Sequence, residues 1–295
     1  MSGNLIELRH RIRSIRNTQK ITRAMKTVSA AKLRKTVVEL NKARPYLSRV
    51  ERLLRRLTGE VDPATFPLMR NLEKGDRVLV MLTSDKGLCG AFNSHVIRRM
   101  NEFMEKCRQE NQPVRLVTLG NRGHSHCRRR EIPVEKNFPG VMARTSQEDA
   151  REITRYLSQL FLEEEIRDIW FLYTAFSSAS RQEVTEKSLF PIRCQWDEPG
   201  GEPQEETEKE FIYEPSADEI FAATLPLFLE SRIYHLLIES QASEHAARMI
   251  AMDLASRNAS DMIQSLTLTL NKVRQASITN ELLEIITATE ALQSQ

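Results

Sequence analysis

Apolar residues recur at steps of three and four along both ends of this chain. Along its middle they gather in short runs instead. Near the start, Leu5, Leu8, Ile12 and Ile15 step by three and four. A polar interval from Arg16 to Lys20 follows, and the pattern resumes at Ile21, Met25, Val28, Leu33, Val37, Leu40, Leu47, Val50, Leu54 and Leu57. The mean step of about 3.5 is the coiled-coil period. Pro45 is the one helix breaker between Asn4 and Thr58, and from Leu227 to Gln295 there is neither Gly nor Pro. Ser216 with Glu219 fits a capping box that opens the last helix, and Pro226 is expected to kink or restart it. Met252, Ala255, Ala259, Met262 and Leu266 then step by three and four, followed by Leu270, Val273, Ile278, Leu282, Ile285 and Leu292. At about 1.5 Å per residue the two helices would reach about 80 and about 100 Å. The pattern predicts a long antiparallel pair, too long for the core of a compact domain. The second helix would overhang the first by about 20 Å and need another partner there.

Between the helices, strand-like and helix-like pieces alternate. Strands are expected at Arg77 to Thr83, Val114 to Leu119, Ile169 to Phe176 and Val184 to Arg193, with helices over 92–109 and 146–165. Such alternation predicts a Rossmann-like α/β domain with a mainly parallel sheet covered on both faces. The expected division is 1–59 for the first coiled-coil helix, 76–196 for the α/β domain, 197–214 for an acidic loop and 216–295 for the second coiled-coil helix.

Charge sharpens this picture. Residues 1–58 hold 16 Lys and Arg against 3 Asp and Glu, whereas the remainder holds 27 against 37. A helix this basic seeks an acidic surface. It could be a phosphate stripe on a coiled-coil scaffold or nucleic-acid-binding protein, but Tyr46 is the one aromatic residue of that region to stack on bases. The four cysteines lack ligand or disulfide spacing and read as reduced thiols of a cytosolic protein. No apolar run of about 18 residues is evident, so no membrane insertion is expected. Met1 runs almost directly into the amphipathic pattern, which leaves no room for a targeting segment.

Candidate chemistry is sparse. Ser84 to Gly90 lies where open α/β sheets hold phosphates, but it has neither GxGxxG nor GxxxxGK[ST] spacing. A tight strand-to-helix turn is the simpler account. His124, His126 and Cys127 are followed at once by Arg128, Arg129 and Arg130, which disfavours a metal cation. No catalytic residues, cofactor or metal are expected. The polar layer Thr18-Gln19-Lys20 reads equally well as a register-setting layer or as a face turned to a third party.

The run from Arg11 to Lys26 (RIRSIRNTQKITRAMK), continued by Val28 to Arg34, resembles the N-terminal signature of the gamma subunits of F-type ATP synthases. The turn SDKGLCGAFN (Ser84 to Asn93) and the stretches Ser243 to Ala259 and Asn271 to Ile285 are similar to further motifs of that family, in the same order. Thr287-Ala288-Thr289 stands where the family usually has a Ser-Gly pair, and the acidic segment 197–210 looks longer than usual. The paired cysteines of the thiol-regulated chloroplast form are missing, so the resemblance is to the bacterial type. It implies a rotor shaft, a left-handed coiled coil inside a ring of alpha and beta subunits, with epsilon beside it and the membrane c-ring below. It also implies a non-catalytic subunit, coupling proton or sodium flow to ATP synthesis or hydrolysis, at the cytoplasmic face of the plasma membrane. The residues it places against beta-subunit loops are Lys20, Arg23, Met25, Lys26, Arg248, Asn271, Arg274, Gln275 and Thr279. Leu282, Ile285, Ile286 and Leu292 would turn in a hydrophobic sleeve. Nucleic acid and the bilayer interior are not among the implied partners.

Overall fold

In a computed structural model, residues 2–193 and 213–293 are described. The acidic segment 197–210 and Cys194 lie outside them. The elements run α1 (Ser2–Leu57), β1 (Asp76–Leu82), α2 (Phe92–Gln109), β2 (Val114–Leu119), α3 (Asn121–Arg129), β3 (Lys136–Phe138), α4 (Gln147–Glu163), β4 (Ile166–Phe176), β5 (Gln182–Phe190) and α5 (Ala217–Gln293). By its contacts the chain divides into two units. One joins Met1–Ala30 to Arg248–Gln295, and the other is Ala31–Ala247.

The larger unit is built on a five-stranded sheet of order β3-β2-β1-β4-β5. β1 pairs in parallel with β2 and β4, β2 pairs in parallel with β3, and β5 closes the edge antiparallel to β4. Alternation along β1 divides the core. Val78, Val80 and Leu82 face a cluster made by α4, the end of α1 and the start of α5. Leu79 and Met81 face Val96, Met100, Phe103 and Cys107 of α2 and Cys127 of α3. A strand buried on both faces reads as a continuous apolar run, which is why β1 and β4 were legible. Arg77 and Asp168 cross from β1 to β4 as a two-pronged ion pair at 2.6 and 2.9 Å, with the guanidinium over the Phe103 and Trp170 rings.

Four expectations need correction. α3 and β3 follow Gly120, where no element had been assigned. The sequence hid α3 because its nine residues carry only two buried positions, Gly123 and Cys127. Pro226 does not restart α5, which runs through it. The helix opens as foreseen, with Ser216 Oγ accepting from the Glu219 N–H at 3.2 Å. α5 also contains an 18-residue window with mean hydropathy 1.2, enough by length and composition to cross a bilayer. That window is 56% buried inside the protein, the mark of a core helix.

The burial has a structural origin. From Arg232 to Ala246, α5 is buried or half-buried on every side. Three polar groups there find partners: Arg232 pairs with Glu51 of α1 at 3.0 Å, the Phe176 N–H donates to Glu239 at 3.1 Å, and Gln241 donates to the Met142 carbonyl at 3.2 Å, whereas His235 Nε2, Ser240 Oγ and Ser243 Oγ are buried without a hydrogen bond. Each contact meets the desolvation cost of a buried polar group.

The fourth correction concerns the seam of α1. In the smaller unit, buried and half-buried positions at steps of three and four run Leu5, Leu8, Ile12, Ile15, Gln19, Thr22, Lys26 and Ser29, with Met25 and Ala30 half-buried beside them. Steps of three and four continue without a break through the polar interval. Ile21 and Val28, expected in the seam, are 59% and 56% exposed. A continuous helix cannot change phase to follow apolar residues that step aside, so polar side chains hold the seam instead. On α5 the matching seam runs Met252, Ser256, Ala259, Ile263, Leu266, Leu270, Val273 and Ser277. Met262 and Ile278, expected there, are 48% and 50% exposed.

Candidate functional site

The turn after β1 is the first place to look for chemistry, because open parallel sheets bind phosphates beyond their carboxyl ends. Here that position is already filled. Asp85 Oδ1 accepts from the Asn121 N–H, at the start of α3, at 3.1 Å and from the Gly140 N–H at 3.0 Å. A phosphate entering this crevice would meet a fixed carboxylate. Gly120 lets β2 turn into α3: its φ is +94°, and a Cβ there would sit 2.0 Å from the Thr83 carbonyl oxygen. Ser84, Cys89 and Asn93 close the turn among themselves, with Asn93 Nδ2 donating to Ser84 Oγ at 2.7 Å. These are the bonds of a tight turn. It also presents Leu88, 63% exposed with φ of +65°. A bulky residue held in the left-handed region and turned to solvent was not foreseen from the motif.

The histidine-cysteine cluster does not converge. Cys127 points into the α2 side of the core, and burial raises its thiol pKa. Burial first, then Arg130 and Arg129, lowers the pKa of His126. Among the described residues no group of three His, Cys, Asp or Glu is arranged to hold a metal ion.

The helix pair in the smaller unit offers a surface of a different kind. Arg9, Arg11, Arg13, Arg16, Lys20 and Arg23 are all exposed. Met25 is half-buried at the seam. Lys26 is turned to α5, where its Nζ meets Asp253 Oδ1 at 2.6 Å. Asp253 Oδ2 also accepts from Arg257 at 2.8 Å. The hydrogen bond from Lys26, with Arg257 adding to it, lowers the pKa of Asp253 below the ordinary carboxylate value. Arg248 is half-buried, whereas Asn271, Arg274, Gln275 and Thr279 are exposed. Thr279 Oγ1 donates back to the Gln275 backbone carbonyl at 3.0 Å.

Of these α5 residues, Asn271 and Gln275 fall on one stripe, which Arg274 and Thr279 flank. Leu254, Asp261, Leu268, Asn271, Gln275, Ile278, Leu282 and Ile285 recur at helical spacing on the face away from the seam. Leu254, Leu268, Leu282, Ile285 and Ile286 are 56%, 66%, 55%, 62% and 52% exposed. Leu292 lies outside the described side chains. An exposed stripe that mixes large apolar groups with amides and a carboxylate is a surface built to be covered. Asn271, Gln275, Leu282 and Ile285, all expected to contact partners, share this stripe. Lys26 is turned to α5 instead, and Asp253 was missed because its pairing with Lys26 across 227 positions leaves no local signal.

The sequence model of the ATP synthase family matches residues 4–292. The ATP synthase gamma chain of Moorella thermoacetica is 40% identical over 292 residues, covering 99% of this chain and 100% of that one. The chain belongs to the ATP synthase gamma-chain family. The gamma chain of Geotalea daltonii is 38% identical over 291 residues, covering 99% of both. Among solved structures, a chain of the Euglena gracilis mitochondrial ATP synthase (OSCP/F1/c-ring, rotational state 3) superposes with a TM-score of 0.68 at 19% identity, covering 100% of this chain and 96% of that one. A chain of the Tetrahymena thermophila enzyme (central stalk/cring) superposes with a TM-score of 0.59 at 24% identity, covering 80% and 99%. At those identities the two structures speak for the fold. Gamma-chain membership and the fold agree with the motifs read from α1, from the turn after β1 and from α5.

Proposed function

We propose that this gamma chain is the central rotor shaft of a proton- or sodium-transporting ATP synthase, non-catalytic itself. It carries torque between a membrane c-ring and the catalytic ring of alpha and beta subunits, with epsilon beside it. The complex sits at the cytoplasmic face of a bacterial membrane. The observation that carries this reading is the outer surface of the helix pair, with exposed cations on α1 and the mixed stripe on α5. One asymmetric pair inside a threefold ring presents a different face to each beta subunit, so each is biased to a different state. A shaft controls a catalytic site only through such differences in binding free energy.

The magnitudes are sufficient. Moving a two-state equilibrium from 1:99 to 99:1 takes about 5.5 kcal/mol of differential contact. Hydrogen bonds to charged groups contribute about 1.5–3 kcal/mol each, so two or three suffice. Arg274 and Gln275, flanked by Asn271 and Thr279, provide donors on one side. Lys20, Arg23, Met25 and Arg248 provide the other set. Leu282, Ile285, Ile286 and Leu292 turn against a nonpolar sleeve, whose walls resist rotation little because burial is non-directional.

The test is Arg274→Ala with Gln275→Ala in the assembled complex. ATP turnover should fall, or run without ion pumping, by about tenfold, since losing one charged hydrogen bond costs about 1.5–3 kcal/mol. Normal coupled rates at normal subunit composition would remove these two residues from the contact surface.

A further inference from the structure

The smaller unit contains a weakness in its seam and a pair of residues that offsets it. Between Ile15 and Leu33, the inward positions of α1 are Gln19, Thr22, Met25, Lys26 and Ser29. Apolar knobs normally fix the axial register of two helices, and this stretch has few. Across from it α5 offers Met252 and Ser256, also small or unbranched. Packing alone resists a slide or a rotation of one helix against the other least here. Asp253 stands at this level. It holds Lys26 of the opposite helix on one oxygen and Arg257 of its own helix on the other.

We infer that Asp253 is a positioning residue: by clamping Lys26 across the helix pair it fixes the register and azimuth of α1, and so the direction in which Met25 and Arg23 meet the ring. Lys26 then acts through Asp253 and not through a beta subunit. This rests on the rotor reading, and it alters one part of it. Lys20 and Arg23 remain turned outward, whereas the charge of Lys26 is already matched inside the pair. A buried or half-buried polar pair at one level of a coiled coil is a known means of specifying register. What the clamp requires is opposite charge on the two helices, irrespective of which helix carries which sign. A contact with an acidic loop of another subunit would instead require the cation on α1.

Exchange of the two charges separates these cases. Lys26→Asp, Asp253→Lys and the double exchange would be made in the whole membrane complex, with ions pumped per ATP hydrolysed as the readout. Complexes are compared only at normal subunit stoichiometry. Each single change places like charges together and should lower the coupling ratio about fivefold or more. The double exchange should return it to within about twofold of the parent. Recovery only of assembly or thermal stability, without recovery of coupling, overturns the proposal, as does a double exchange no better than Lys26→Asp. Unchanged coupling in both single variants also overturns it. Where a single variant fails to assemble, Lys26→Met with Asp253→Leu provides the comparison. Loss of coupling there with assembly intact supports the clamp, and full coupling overturns it. The rotor reading itself is tested by the Arg274 and Gln275 pair, so its failure would register in that experiment irrespective of the exchange.

Discussion

His235 illustrates how a single buried side chain can set a pH dependence. Burial first, then Arg232 and Arg44, pushes its pKa down to about 4. Its nearest carboxylate, Glu239, is 3.8 Å away, and burial raises the pKa of that group. Between pH 6.5 and about 4, the unfolded chain binds a proton that the folded His235 refuses. The stability from neutral His235 is thus complete above pH 6.5 and drains away as pH falls towards 4, by up to about 3 kcal/mol. Glu239 works the other way, because folded Glu239 takes up its proton earlier than the unfolded residue does. His235→Gln should therefore flatten the fall of the urea-unfolding midpoint between pH 6.5 and 4. An unchanged slope would show that His235 does not govern it. Only part of this is legible locally: Arg232 and Glu239 stand three before and four after His235 on α5, whereas the burial and the approach of Arg44 from α1 come only with tertiary packing.

Among the elements, α1 shows how geometry overrules composition. Leu54 falls on the seven-residue phase and is completely buried, whereas Ile21 falls off it and is 59% exposed. Leu54→Ala should cost about 2–5 kcal/mol, the range for a truncated core leucine. Ile21→Ala should change stability by no more than about 0.5 kcal/mol, as exposed positions do. Equal effects on the unfolding midpoint would contradict the seam assigned here. Both residues are aliphatic at roughly helical spacing, so the apolar pattern alone counted both. Strict continuation of the phase from Leu5, Leu8 and Ile12 separates them, but only if the helix is known to be unbroken. The strands were more legible. β2 and α2 stand where their sequence patterns placed them, because the sheet buries both faces and the surrounding loops carry Gly or Pro. α3 was not, since a short helix packed through one glycine and one cysteine has almost no periodicity to read.

At the scale of the whole molecule, the outer part of α5 has no seam partner. Residues Glu281 to Thr287 are exposed on every side. A chain ending at Asn280 should keep the unfolding midpoint of the full-length chain within about 0.5 kcal/mol, because Glu281 to Thr287 make no buried contact. A clear drop would mean that the end of α5 folds against the remainder. The exposed aliphatic groups there make sense only in an assembly that covers them, which is what gamma-chain membership supplies.

The amino-acid order by itself determined the two long helices, the α/β alternation between them, the unequal charge and the family. Each of these is written in local periodicity or in contiguous motifs. The tertiary structure decided which aliphatic residues enter the seam, that Asp85 fills the crevice beyond the sheet, and that Lys26 is held by Asp253. Those depend on pairings between segments far apart in the chain, fixed only when unbroken helices and a closed sheet impose one phase and one register on every side chain they carry.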